Sequence, residues 1–151
     1  MLDPKTHLLT DQRWSGRLIQ LSPQSAVVEL DLRTEMAVDG TGLVHGGFVF
    51  SAADFAAMLA VNEPNVVLAT AEVRFLRPSA SGDVLQFVAK VETIEGRKQS
   101  VDVEATDSQG ATVFKGNFKC VVLTRPALEA HTDQPQSSAL ERRNSNENQR
   151  Q

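Results

Sequence analysis

Phe48–Val61, FVFSAADFAAMLAV, is the stretch that decides the fold. Apolar residues fall on every side of a helix drawn through it, so no polar stripe is left to face water and the helix must be buried all round. Its small alanines let other elements approach the axis closely. Asn62-Glu63-Pro64-Asn65 stops it, because Pro64 cannot continue a helix. The run is only fourteen residues long and contains Asp54. A membrane-spanning helix needs roughly 20 apolar residues, so a buried core helix in a soluble protein is the expectation.

Immediately upstream, Asp39–Gly47 reads DGTGLVHGG, a loop whose four glycines free the backbone for unusual dihedrals and close approach to a ligand. Before it lie two strand-like runs, Gly16 to Leu21 and Ala26 to Arg33, joined by the turn Ser22-Pro23-Gln24-Ser25. In the second, Val28, Leu30 and Leu32 alternate with Glu29, Asp31 and Arg33, the period of a half-buried strand. After the helix come four extended segments, Val66 to Arg77, Asp83 to Ile94, Lys98 to Ala105 and Ala111 to Leu123. Short turns rich in Gly, Ser and Asp separate them, which makes neighbours antiparallel. Two strands, one apolar helix and four long strands predict an α+β fold in which a curved antiparallel sheet wraps the helix.

The chain has 151 residues and a formal charge of −4, enough for one domain and without the basic excess that nucleic acid or anionic lipid would demand. Cys120 is alone, and His7, His45 and His131 match no zinc spacing, which predicts a reducing compartment and no metal. The N-terminal MLDPKTHLLTDQRW lacks the apolar core of a signal peptide, so a cytoplasmic location is expected. The domain is expected over residues 1–124. Residues 125–151 form a polar C-terminal tail, with few apolar side chains beyond Glu129, that is expected to be disordered.

No nucleophile elbow, phosphate loop, dinucleotide fingerprint or metal-ligand cluster is present. What remains is Gly46-Gly47 entering the helix and Asp54 inside it. A carboxylate in an apolar helix is costly to desolvate. It serves either as a structural partner in the core or as an acid–base group. With the first amides of the helix unpaired at Gly46 and Gly47, the second reading gains an oxyanion donor, and the pair suffices for acyl transfer. Eight residues separate Gly46 from Asp54, roughly 12 Å along a helix. If they act on one carbonyl, the amide and the acid come from different subunits, so the catalytic reading predicts a two-fold dimer with composite sites. Joining sheets edge to edge would also cover exposed strand edges.

The segments DGTGLVHGGFVFSAADFAAMLAVN, AEVRFLRPSASGDVL and GRKQSVDVEATDSQGATVFKGNF resemble the hotdog thioesterase superfamily, in particular its phenylacetate-pathway type, over roughly Thr34 to Phe118. The resemblance implies the hotdog fold and hydrolysis of an acyl- or aryl-CoA thioester, with coenzyme A as part of the substrate and no separate cofactor. It implies Asp54 as base or nucleophile, the amide of Gly46 with Gly47 nearby as carbonyl-polarising group, and His45 as the residue orienting the loop. Many relatives carry Asn or Gln where this chain has Asp39, and some carry Ser or Thr where it has Met58, so both positions are assigned to the substrate side. Arg74, Arg77, Arg97 and Lys98 are the cations near the sheet for the phosphates of coenzyme A. The family also implies a homodimer, which can double into a tetramer. The alternative function is a non-catalytic acyl-CoA-binding regulator, since relatives of this fold include a lipid-synthesis repressor and flagellum-associated virulence proteins; a dehydratase ranks below both.

Overall fold

The structure is a computed structural model that describes residues 1–132. An N-terminal segment leads into a single helical turn, α1 (Gln12–Ser15), and then β1 (Arg17–Ser22) and β2 (Ser25–Asp31). A 3-10 turn at Thr34–Met36 and a small hairpin precede α2 (Gly46–Val61). Then follow β3 (Val66–Phe75), β4 (Val84–Glu95), β5 (Lys98–Thr106), β6 (Thr112–Val122) and the short α3 (Ala127–Thr132). The strands form one antiparallel sheet in the order β1-β2-β4-β5-β6-β3. This is the α+β hotdog fold expected from the sequence, with α2 packed against the sheet.

Alternation along the strands builds the inner face. Leu85, Phe87 and Ala89 of β4, Val101, Val103 and Ala105 of β5, and Phe114, Phe118 and Cys120 of β6 are buried with Val49, Ala52, Ala53, Ala56, Ala57 and Ala60 of α2. Gly116 makes room for this aromatic row: a Cβ there would come within 2.8 Å of the Phe118 ring and 2.9 Å of Val73.

Several boundaries differ from the sequence expectation. The helix begins at Gly46 rather than Phe48, because His45 already supplies the cap position. β2 ends at Asp31, since Leu32 turns to bond the Asp83 and Gly82 backbone. β3 stops at Phe75, where the amides of Leu76 and Arg77 both turn onto the carbonyl of Val113 ahead of Pro78.

The expectation that the sheet alone would bury α2 on all sides is corrected. The N-terminal segment crosses the outer face of α2 as a strap. Lys5 N–H donates to Asn62 Oδ1 and Asn62 Nδ2 donates to the Asp3 carbonyl. The His7 ring lies 6.5 Å from that of Phe55, the Ser15 and Ser51 hydroxyls are 2.8 Å apart, and Trp14 lies 5.8 Å from Phe48. Residues 48, 51, 55 and 62 share one helical face, so the strap runs from the end of α2 back to its first turn. At the other end of the chain, α3 occupies the first part of the segment expected to be a disordered tail; residues 133–151 lie outside the described residues.

Candidate active site

The hairpin before α2 fixes where the helix begins. Ala37 pairs with Val44, Val38 N–H donates to the Leu43 carbonyl, and His45 N–H donates to the Met36 carbonyl at 2.9 Å. Val44 N–H donates to the Ser79 carbonyl, which ties the hairpin to the loop after β3. Asp39 stands at the exposed tip, where its Oδ1 accepts from the Thr41 amide at 2.9 Å and the Thr41 hydroxyl at 2.6 Å. These bonds hold its carboxyl below the usual range and make it, in this chain, the clasp of the turn.

His45 caps α2 by position, but no side chain accepts from its first amides. The Gly46 and Gly47 N–H groups thus point out of the helix end with the positive end of the dipole behind them. Both glycines have a steric cause. A Cβ on Gly47 would sit 2.7 Å from His45 Nε2, and one on Gly46 would sit 3.2 Å from the Phe75 ring. His45 folds back over the helix entrance and meets Phe48 edge-on at 6.0 Å.

Asp54 lies two turns further on. Its Oδ1 is buried without any hydrogen-bond partner among the described residues, and burial raises its pKa to about 6. Nearby, Phe50 packs on Phe118 of β6 at 5.7 Å. On the same strand, the Cys120 thiol is pushed up to about 12, first by its own burial and then by the charge of Asp54, which places the two groups in mutual range. Cys120 spends its proton on the Phe118 carbonyl at 3.7 Å, so it does not satisfy Asp54. Opposite Cys120 stands Leu68 of β3, beside a bulge that interrupts the ladder between Leu68 and Thr70. A carboxylate that is desolvated, undonated and basic can accept a proton near neutral pH.

Other sequence-assigned residues are dispersed. Met58 is fully enclosed in the core. Arg74 lines a groove with Glu72, Lys90, Glu92 and Lys115 on the sheet face turned away from α2, so the structure does not bring it to Asp54. Arg77 lies two residues beyond the end of β3, where its amide donates to the Val113 carbonyl, whereas Arg97 and Lys98 occupy the β4–β5 turn at the end of the sheet where Cys120 lies. Phe75 over Gly46 and Cys120 beside Asp54 are not among the sequence-assigned residues; packing of the helix entrance on the end of β3 brings up the first, and the placement of β6 beneath α2 the second. Among the described residues, no His, Cys, Asp or Glu group could hold a metal ion, and no helix is long and apolar enough to cross a membrane.

A family model described as "Thioesterase superfamily" matches residues 41–114, which hold the second half of the hairpin, α2, β3 to β5 and the start of β6. The chain is 34 % identical over 104 residues to the acyl-coenzyme A thioesterase PaaI of Escherichia coli, covering 66 % of this chain and 73 % of that protein. It belongs to the thioesterase superfamily. A solved structure of an uncharacterised Pyrococcus horikoshii protein matches with a TM-score of 0.82 and 46 % identity, over 84 % of this chain and 97 % of that one. The methylthioribose-1-phosphate isomerase of Aquifex aeolicus is also 46 % identical over 122 residues. That match covers 81 % of this superfamily member but 26 % of the isomerase, so the chain spans about a quarter of that relative's length.

Proposed function

We propose that the protein is an acyl-CoA thioesterase whose active site is shared between two copies of the chain. The observation that carries this reading is Asp54, a buried carboxylate with an undonated oxygen in an otherwise apolar helix. The unpaired amides of Gly46 and Gly47 supply its complement, but roughly 12 Å of helix separates them from the acid of the same chain.

The free edge of β3 supplies a route across that distance. Gly46 lies against Phe75 at the end of β3, and Asp54 lies by Cys120, which pairs with Leu68 near its start. If two β3 edges pair antiparallel about a two-fold axis, the end of one strand meets the start of the other. The partner's Gly46 then approaches this chain's Asp54, twice per dimer. The exposed Phe75 and Leu76 would be covered in the same step.

In the hydrolytic step, ionised Asp54 takes a proton from water as the oxygen attacks the thioester carbonyl. The oxyanion that forms is held by the partner's Gly46 N–H, aided by the helix dipole. Collapse breaks the carbon–sulfur bond, and the thiolate leaves with the proton from Asp54. Direct attack by Asp54 would give a mixed anhydride that water then opens. His45 positions the glycine amides through its ring over Gly47. Arg97 and Lys98 of one chain and Arg77 of the other lie at the rim, where coenzyme A phosphates would meet them. PaaI of Escherichia coli, which is named as an acyl-coenzyme A thioesterase, supports the substrate class.

The test is thiol release from aryl-, short- and long-chain acyl-CoAs by the wild type and by Asp54→Asn. Turnover lost in the variant is the expected result. No turnover on any substrate, with acyl-CoA still raising Tm in both proteins, would overturn catalysis in favour of a binding role.

A further inference from the structure

One turn of α2 separates Phe50 from Asp54, about 6 Å of rise, and two residues of β6 separate Phe118 from Cys120, about 6.8 Å along one face of the strand. Phe50 packs on Phe118 with ring centroids 5.7 Å apart. The same step along both elements sets Asp54 over Cys120, and the charge of the carboxylate is felt at the thiol. Cys120 is fully buried, so it meets the acid from beneath, on the side away from solvent.

What the thiol does there is withhold a proton. Its S–H donates to the Phe118 carbonyl at 3.7 Å, back along its own strand. Asp54 Oδ1 is left without a hydrogen-bond partner among the described residues. No other element packed on α2 fills the gap. The buried inner-face residues of the sheet are otherwise apolar. From α1, Trp14 lies by Phe48 and the Ser15 hydroxyl is spent on Ser51. From the strap, His7 lies against Phe55 with its Nδ1 2.7 Å from the Thr6 hydroxyl. Burial alone sets Asp54, with no charged group among the described residues adding to it. The burial that pushes the Cys120 thiol up to about 12 also stops it from competing with water for a thioester carbonyl, because the thiolate is the nucleophile.

We propose that Cys120 is a positioning residue for the hydrolysis: its thiol, turned to its own strand, is a donor-free floor that leaves the Asp54 carboxylate free to take the proton of the attacking water. This rests on the reading of Asp54 as the base and deepens it. A serine at this position would act in the opposite sense. A buried hydroxyl needs an acceptor. The 3.7 Å to the Phe118 carbonyl is a sulfur distance that an O–H does not bridge, so the unmet carboxylate receives the bond. A hydrogen bond to the charged form favours that form and makes Asp54 a weaker base.

The experiment follows kcat/KM against pH for wild type, Cys120→Ser and Cys120→Ala on phenylacetyl- and butyryl-CoA. In Cys120→Ser the acid limb is expected to fall by at least about one pH unit from the wild-type position at about 6, the worth of one hydrogen bond to a charged group. The rate above the limb should drop several-fold, since a weaker base takes the proton less readily. Cys120→Ala adds no donor, so its limb should coincide with that of the wild type. An unmoved limb in Cys120→Ser, or an equal fall in both variants, overturns the proposal and leaves Cys120 as packing only. The same three proteins, isotopically labelled at the Asp carboxyl carbons, give the Asp54 titration directly by NMR, with the signal assigned by its loss in Asp54→Asn. If the wild type hydrolyses neither thioester, the reading of Asp54 as the base fails separately. The floor is then judged on this titration, where a lower midpoint in Cys120→Ser alone is expected and equal midpoints in all three proteins refute the proposal.

Discussion

Replacing Asp54 by Asn should make the protein more stable at neutral pH while removing its activity. In the folded chain burial lifts the carboxyl from 3.8 to about 6, with no donor to offset it. The native state consequently binds the Asp54 proton more tightly than the unfolded chain does. Between these two values the folded protein retains a proton that the unfolded chain has released, so this group's contribution to stability falls as pH rises from about 4 to about 6 and is flat above. At about 1.4 kcal/mol per pKa unit the shift is worth about 3 kcal/mol. Asn cannot ionise, so the stability of the variant minus that of the wild type should grow by about 2.4 kcal/mol from pH 4 to pH 8, the part of the shift that lies above pH 4. Any constant penalty for burying the amide cancels in this difference. Near 150 residues, that corresponds to a relative gain in Tm on the order of 5–10 °C. Urea denaturation of both proteins at unit pH steps measures it. In the same proteins, kcat/KM of the wild type should rise on an acid limb near pH 6, and Asp54→Asn should lose at least about a hundredfold, the lower range for a general base. A stability difference that is constant with pH, or that favours Asp as pH rises, would show that Asp54 is paired in the folded protein and would refute the reasoning.

Three further outcomes follow from the same geometry. The Cys120 thiol, buried and pushed up to about 12, should resist a disulfide reagent at pH 8 in the folded protein and react promptly in urea, as read by thiolate release. Gly47→Ala should reduce kcat by an order of magnitude or more, because its Cβ would meet His45 Nε2 at 2.7 Å and displace the ring from the helix entrance; a variant with wild-type turnover would remove His45 from the site. Specific activity should decline on dilution in step with dissociation of the dimer measured by sedimentation, since neither chain alone holds both groups on one carbonyl; activity retained by the monomer would rule out the composite site.

How much the sequence revealed depended on whether a feature is local. The helix and six strands were legible because the apolar run of Phe48–Val61 and the period-two pattern of segments such as Val28–Leu32 are set within a few residues. Their ends moved by two residues where backbone bonds to distant loops took over, as at Leu32 and Leu76. Arg74 was assigned to coenzyme A phosphates, and the alternation around Val73 turns it to the outer face of the sheet, away from Asp54. The strap was not legible. Its hold on α2 consists of single contacts by His7, Trp14 and Ser15, and no periodicity marks them. Cys120 is 66 positions from Asp54, and only the register of β6 beneath α2 brings them together.

The two parts of the site are each left incomplete by the same helix. At its entrance the amides of Gly46 and Gly47 lack acceptors, and two turns later the Asp54 carboxylate lacks a donor. The rigid rise of α2 prevents either deficit from meeting the other within one chain. A buried polar atom left unmet, as Asp54 Oδ1 is, costs about 1–3 kcal/mol, and such costs persist where function uses them. A direct bond between the partner's amide and Asp54 would satisfy both groups but would also pull the carboxyl back towards its ordinary value and remove its basicity. For the acid to stay near 6, the two must be held apart by the width of a carbonyl. In the proposed dimer site a thioester carbonyl would then complete both hydrogen-bond sets at once, and the oxyanion of the transition state would complete them more strongly than the ground-state thioester.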